Sequence, residues 1–170
     1  MERYRHGDVA AFEEILERYE RPLLRYASRY DAAGAQDLVQ EVFLRLVRDA
    51  PRLEPIENLS AWLYRVARNL AIDESRKEKR MARRHELAAV PEAQGASSSP
   101  FEVEEMADVV ATKLMALPPR QRDVLVLKIQ ESKTYRQISE ITGLSTSNVG
   151  YLIHQGLKSL ARELRVAGVI

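Results

Sequence analysis

The feature that most limits the fold is the spacing of apolar residues, which follows the period of an α-helix along most of the chain and nowhere alternates convincingly as a half-buried strand would. Phe12, Ile15, Leu16, Tyr19, Leu23 and Tyr26 recur at three- and four-residue intervals behind Asp8, a residue suited to cap a helix start. Gly34 breaks the chain, and Leu38, Val42, Phe43 and Leu46 share one side of a second helix. Pro51 and Pro55 predict an irregular loop, since proline lacks an amide hydrogen and disfavours helix in the residue before it. A third, long helix is expected from Asn58 or Ser60 into a basic stretch.

The segment from about His85 to Pro100 collects Pro91, Gly95, Ser97, Ser98, Ser99 and Pro100, a composition that cannot bury a core and reads as a flexible linker. Helices resume over about Phe101 to Ala116 and again behind Pro118 and Pro119, where proline suits a first turn. Thr134 to Gln137 spells a capping box, Gly143 ends the short helix it opens, and Ser145 can cap a last helix reaching about Arg165. The expected architecture is all-α: two small helical domains, residues 1–84 and 105–170, joined by a linker over 85–104, with no internal repeat.

Several function classes drop out on composition. An apolar content of 45% with 30% charged residues is that of a globular chain and argues against wholesale disorder. The absence of cysteine excludes disulfides, thiol nucleophiles and cysteine metal sites. No apolar run approaches the roughly 18 residues of a bilayer span, and Met1, Glu2 and Arg3 do not open a signal peptide, so a cytoplasmic chain with no membrane insertion of its own is expected. His6, His85 and His154 are scattered and the acidic residues sit at helix-surface spacings. No catalytic or metal constellation emerges, no glycine-rich nucleotide loop is visible, and neither a cofactor nor enzymatic activity is expected.

Charge is informative through its distribution, since the net value is only +1. From Trp62 to Arg84 eight basic residues face only Asp73, Glu74 and Glu78, a local surplus that suits phosphates. Unrolled at about 100° per residue, this helix gathers Leu63, Val66, Ala67 and Leu70 on one face. Arg65, Asn69, Asp73, Arg76, Arg80 and Arg83 gather on another, with Trp62 at the border. Such an arginine stripe with one short amide fits a surface that tracks a nucleic-acid backbone and reads one base, and equally fits a solvated charged face. Trp62 fits a core anchor or a stacking platform. On the second helix Asp37, Gln40, Glu41 and Arg45 share a polar face with a Glu41–Arg45 pair, worth only a few tenths of a kcal/mol.

Thr134 to Leu160 reads as a short helix, a turn at Gly143 and a longer helix, with Ile138, Ile141, Val149, Leu152, Ile153, Leu157 and Leu160 as apolar positions. This fits a helix-turn-helix, in which the second helix enters the major groove, and also an ordinary helical hairpin. In the first case Thr146, Ser147, Asn148, Tyr151, Gln155 and Lys158 face the groove, amides and hydroxyls pairing with base edges or phosphates and Lys158 with the backbone. His154 fits a groove-edge or solvent position.

Asp37-Leu38-Val39-Gln40-Glu41-Val42-Phe43 resembles the signature of the second conserved region of bacterial RNA polymerase sigma factors. Trp62 to Asn69, followed by Asp73 and Arg76, resembles the next segments of that region. Leu117 to Arg122 and Tyr135-Arg136-Gln137-Ile138 resemble the fourth region. The match spans nearly the whole chain apart from the linker, and the interval between the halves is too short for the central domain of housekeeping sigma factors. That is the pattern of the extracytoplasmic-function (ECF) group.

The resemblance implies a factor for promoter recognition, DNA melting and transcription initiation whose partners are core RNA polymerase, promoter DNA and an anti-sigma factor. It implies that Asp37, Gln40 and Glu41 contact the polymerase. It implies that Leu53, Trp62, Arg65, Asn69, Arg76 and Arg80 serve the downstream promoter element, with the loop from Asp49 to Leu59 capturing a flipped-out base. Leu53 stands where some relatives carry an aromatic. Relatives also usually place a lysine and an arginine just after the valine equivalent to Val149, where this chain has Gly150 and Tyr151. The loss of about two phosphate contacts implies a flatter salt dependence and an upstream element that is held weakly or read with different bases. A stand-alone regulator that binds duplex DNA through the helix-turn-helix alone is the alternative, and it leaves the Asp37–Phe43 and Trp62–Arg76 motifs unexplained.

Overall fold

The computed structural model describes residues 8–49, 56–85 and 103–169, with side chains described throughout except at 78–85 and 103–105. Seven α-helices make up these residues: α1 Val9–Ala27, α2 Ala35–Asp49, α3 Leu59–His85, α4 Val103–Ala116, α5 Pro119–Leu125, α6 Tyr135–Thr142 and α7 Thr146–Val166. The expected all-α class holds. Most of the 85–104 stretch lies outside the described residues, and α4 is described from Val103.

Most helix ends are set by the residues the sequence singles out. Asp8 Oδ1 accepts from the Ala11 amide at 3.3 Å, and Asn58 Oδ1 accepts from the Ala61 amide at 3.1 Å at the start of α3. Between α1 and α2 the Asp31 carboxylate accepts from the amides of Ala33 and Gly34. A Cβ on Gly34 would meet that carboxylate, so a side chain there would displace Asp31 from the two amides. Pro119 occupies the first turn of α5. Thr134 and Gln137 form a reciprocal capping box on α6, and Gly143 ends that helix in the left-handed region at φ 75°. Ser145 Oγ accepts from the Asn148 amide and opens α7. Residues Val126–Gln130 form a π-helical turn after α5, which propensity and spacing do not announce.

Leu23, Tyr26, Val42, Leu46, Leu63, Tyr64 and Ala67 are fully enclosed among α1, α2 and α3. Val124, Leu125, Leu127, Ile138, Ile141 and Val149 are fully enclosed among α5, α6 and α7. The buried face of α3 is turned from the expected one: Tyr64 and Ala71 lie inside it, whereas Val66 and Leu70 are only partly covered. Leu157, expected to pack within the helix-turn-helix, is 46% exposed. The residue that α7 presses inward is Gly156, where a Cβ would stand 2.8 Å from Leu125 Cδ1. Its bareness sets how closely α7 approaches α5. Helix α3 packs against α6, so the two helical groups meet in one continuous core.

Candidate functional site

Helix α2 presents Asp37 and Gln40 to solvent, with Glu41 half-buried one turn on. Glu41 Oε1 accepts from Arg45 Nε at 2.7 Å, the i,i+4 pair the spacing implies. Beside Gln40 a groove of about 450 Å³ opens between α1 and α2, lined by Phe12, Leu16, Phe43, Leu44 and Val47. Leu44 and Val47 are 55% and 45% exposed, apolar area on a helix face otherwise polar. A surface that combines acid, amide and exposed aliphatic groups suits a protein partner better than a phosphate backbone. The apolar part escapes a reading of the sequence because Leu44 and Val47 look like ordinary members of a helix period.

On α3, Arg65 and Asn69 are exposed and Trp62 is half-buried against the core. Arg76 lies 3.9 Å from Asp73 on the same exposed face. Arg80 belongs to α3 but its side chain lies outside the described residues, as does Leu53 entirely. Asn69 and Arg76 line a cavity of about 550 Å³ together with Arg68, Arg120 and Arg122. The arginines of α3 and α5 thus face one space, a juxtaposition that spacing along a single helix cannot reveal.

Three acidic residues of the carboxyl-terminal half reach the amino-terminal helices. Asp123, 2% exposed, accepts from Arg68 Nε at 3.0 Å and from the Tyr30 hydroxyl at 3.0 Å. Glu131, its side chain 2% exposed, accepts from Arg25 at 3.2 Å and from the Tyr64 hydroxyl at 2.6 Å. Glu140 accepts from Asn58 Nδ2 at 2.6 Å through its carboxylate, and its backbone carbonyl accepts from the Arg65 guanidinium at 3.0 Å. Burial, reinforced by the neighbouring acids, pushes the phenols of Tyr30 and Tyr64 well above their ordinary range. The Tyr26 phenol is pushed up chiefly by its own burial. Lys133, held over the Tyr64 ring at 4.1 Å, is pushed down by desolvation. The hydrogen bond that Arg25 donates to Glu131 holds its guanidinium still more firmly protonated.

At the start of α7, Thr146, Ser147, Asn148, Tyr151 and Lys158 are exposed on one flank and Gln155 is half-buried. His154 is exposed. The turn before this helix is fixed by Ser139 Oγ, which donates to the Leu144 carbonyl at 2.5 Å, and by Thr142 Oγ1, which accepts from the Leu144 amide at 3.3 Å. The hydroxyls and amide at the capped end of α7 have the inventory for base edges, and Tyr151, 61% exposed, adds an aromatic face. No group of three or more His, Cys, Asp or Glu residues able to hold a metal occurs among the described residues, and no described helix is long and apolar enough to cross a membrane.

A three-helix unit with an arginine face, coupled to a capped helix-turn-helix, fits a DNA-binding protein with two contact surfaces. Residues 15–81 match Sigma-70 region 2 and residues 107–160 match Sigma-70, region 4. The RNA polymerase sigma factor CarQ of Myxococcus xanthus is 30% identical over 169 residues, covering 96% of this chain and 94% of that protein. The ECF RNA polymerase sigma factor SigW of Bacillus subtilis is 29% identical over 171 residues, covering 94% and 91%. The fold is shared with the sigma factor RpoE of Bartonella quintana, solved with the anti-sigma factor NepR, at a TM-score of 0.73 and 20% identity over 92% of this chain and 98% of that one. It is also shared with CnrH, solved with the cytosolic domain of CnrY, at 0.70 and 21% over 95% and 92%. The chain belongs to the RNA polymerase sigma factors, in their ECF group.

Proposed function

We propose that residues 1–84 dock on core RNA polymerase and engage the downstream promoter element, while residues 105–170 hold the upstream element and residues 85–104 set the reach between them. Asp37, Gln40 and Glu41 contact the polymerase, with the apolar groove beside them completing the surface. Arg65 and Asn69, with Trp62, Arg76, Arg80 and Leu53, serve the strand that is separated at the downstream element. Positive charge positions the strand's phosphates, and the amide of Asn69 reads a base edge. Thr146, Ser147, Asn148, Tyr151, Gln155 and Lys158 serve the upstream duplex. The chain works in the cytoplasm beside the polymerase, to which the bond-making chemistry of transcription belongs. An anti-sigma factor restrains it, as the anti-sigma factor NepR accompanies the sigma factor RpoE of like fold.

The observation that carries this reading is that Asp37 and Gln40, inside the region 2 match, and the capped end of α7, inside the region 4 match, both stand exposed on one chain. The test is binding of the purified chain to bacterial core polymerase, with Asp37→Ala/Gln40→Ala as the comparison. Removing two central polar contacts is expected to weaken binding by about tenfold or more. Equal affinity of wild type and variant would remove the α2 assignment. No binding at all, beside specific binding to duplex DNA alone, would replace the reading with that of a stand-alone regulator.

A further inference from the structure

The polar contacts between the two halves run along α3 and include Arg65, one of the residues assigned above to promoter DNA. Glu140, near the end of α6, takes the Arg65 guanidinium on its backbone carbonyl and the Asn58 amide on its carboxylate. Asn58 caps the start of α3, so the end of α6 lies beside the first two turns of that helix, from Asn58 to Arg65. One turn along α3, Arg68 is held by Asp123 at 2.9 Å. Beneath α6, Glu131 is clamped by Arg25 of α1 and Tyr64 of α3, while Lys133 reaches Ser60 Oγ at 3.2 Å. Acceptors of α5, α6 and the segment between them, most of them anionic, thus pin the two halves together, and one of them, the Glu140 carbonyl, takes the Arg65 guanidinium assigned to the promoter strand. The contacts join residues 55 to 106 positions apart, so they report the packing of one half on the other and not local helix chemistry.

We infer that the free chain is closed on itself, with Glu131 and Glu140 as the latch and α6 as an internal competitor for the promoter strand. The inference deepens the proposed function and rests on its assignment of Arg65 and Asn69 to DNA. The closed form leaves Asp37 and Gln40 exposed, so docking on the polymerase through α2 is open to the closed chain. Release of the latch then supplies the DNA-competent form, and the apparent affinity of the free chain for DNA is scaled down by the small fraction that is open.

The chain has no cysteine of its own, so Glu17→Cys on α1 and Arg165→Cys on α7, both exposed, can carry a donor and an acceptor dye. The latch is weakened by Arg25→Ala/Glu140→Ala, two side chains that are 53% and 33% exposed and lie outside the proposed contact residues. The probe is a labelled pool of single-stranded DNA of random sequence, measured beside circular dichroism. Energy transfer is expected to be lower in the variant than in the wild type, while affinity for the pool rises by about tenfold. Transfer unchanged by the substitutions, or a fall in transfer with no gain in affinity, would overturn the latch. Adding Arg65→Ala to the opened chain is expected to cancel the gain. A gain that survives Arg65→Ala would keep the closure and overturn the assignment of Arg65 to DNA. Should the double variant lose helicity, Arg25→Ala alone, outside α3 and α6, gives the same two readings.

Discussion

Asp123 shows how much a single side chain does in this molecule. Its carboxylate is enclosed, and it satisfies both Arg68, whose side chain is 17% exposed, and the hydroxyl of Tyr30. Asp123→Ala would leave a nearly buried guanidinium without its counter-charge, and a loss of about 3–5 kcal/mol is expected in urea denaturation. Glu74→Ala, which breaks the exposed Glu74–Lys77 pair, is expected to cost less than about 0.5 kcal/mol. The tyrosines give the pH dependence. Tyr26, Tyr30 and Tyr64 hold their protons more tightly folded than unfolded. Their contribution is complete below the unfolded value of about 10 and is lost as pH rises beyond it. Lys133 acts in the opposite sense, because its folded value is lowered, but it is one group against three. Stability measured by denaturation is expected to fall above about pH 10, with the share of phenolate absorbance that belongs to these three enclosed tyrosines appearing only together with unfolding; a flat profile there would contradict the enclosed phenols. None of these roles is legible in the sequence. Tyr30 and Asp123 stand 93 positions apart, and periodicity describes one helix at a time.

Helix α7 carries two glycines with opposite consequences. A Cβ at Gly150 would meet only the ring edge of Tyr135, at 3.4 Å, and Tyr135 is itself exposed. Gly150→Ala is expected to stabilise the chain by about 0.5–1 kcal/mol through helix propensity. At Gly156 the same atom would press on the fully buried Leu125, and crowding of about 1–3 kcal/mol outweighs that gain. Thermal denaturation of the two variants, shifted in opposite directions, checks both. At this scale much was legible: Asp8, the Thr134–Gln137 box, Gly143 and Ser145 all act where their chemistry suggests, because a cap is a contact between near neighbours in sequence. The π-turn at Val126–Gln130 and the exposure of Leu157 were not, since both follow from how α5 and α7 fit against each other.

The whole molecule joins two recognisable halves through a polar seam that neither half announces. The motifs around Asp37, Trp62, Leu117 and Tyr135 sit within short stretches of chain, so family and fold class could be read from them. The placement of α6 on α3 depends on acids and arginines that look like surface charge until the halves are brought together. Arg65 illustrates the point, being legible as a promoter-facing cation and illegible as a donor to Glu140. As a sigma factor, this chain confers promoter-specific initiation on core polymerase. Transcription reconstituted from purified core enzyme, the chain and a library of bacterial promoter fragments tests it most directly. The expected result is discrete transcripts that require the chain, start downstream of a common pair of sequence elements, and are lost with Asp37→Ala/Gln40→Ala. Transcripts no different from those of core enzyme alone would contradict the account.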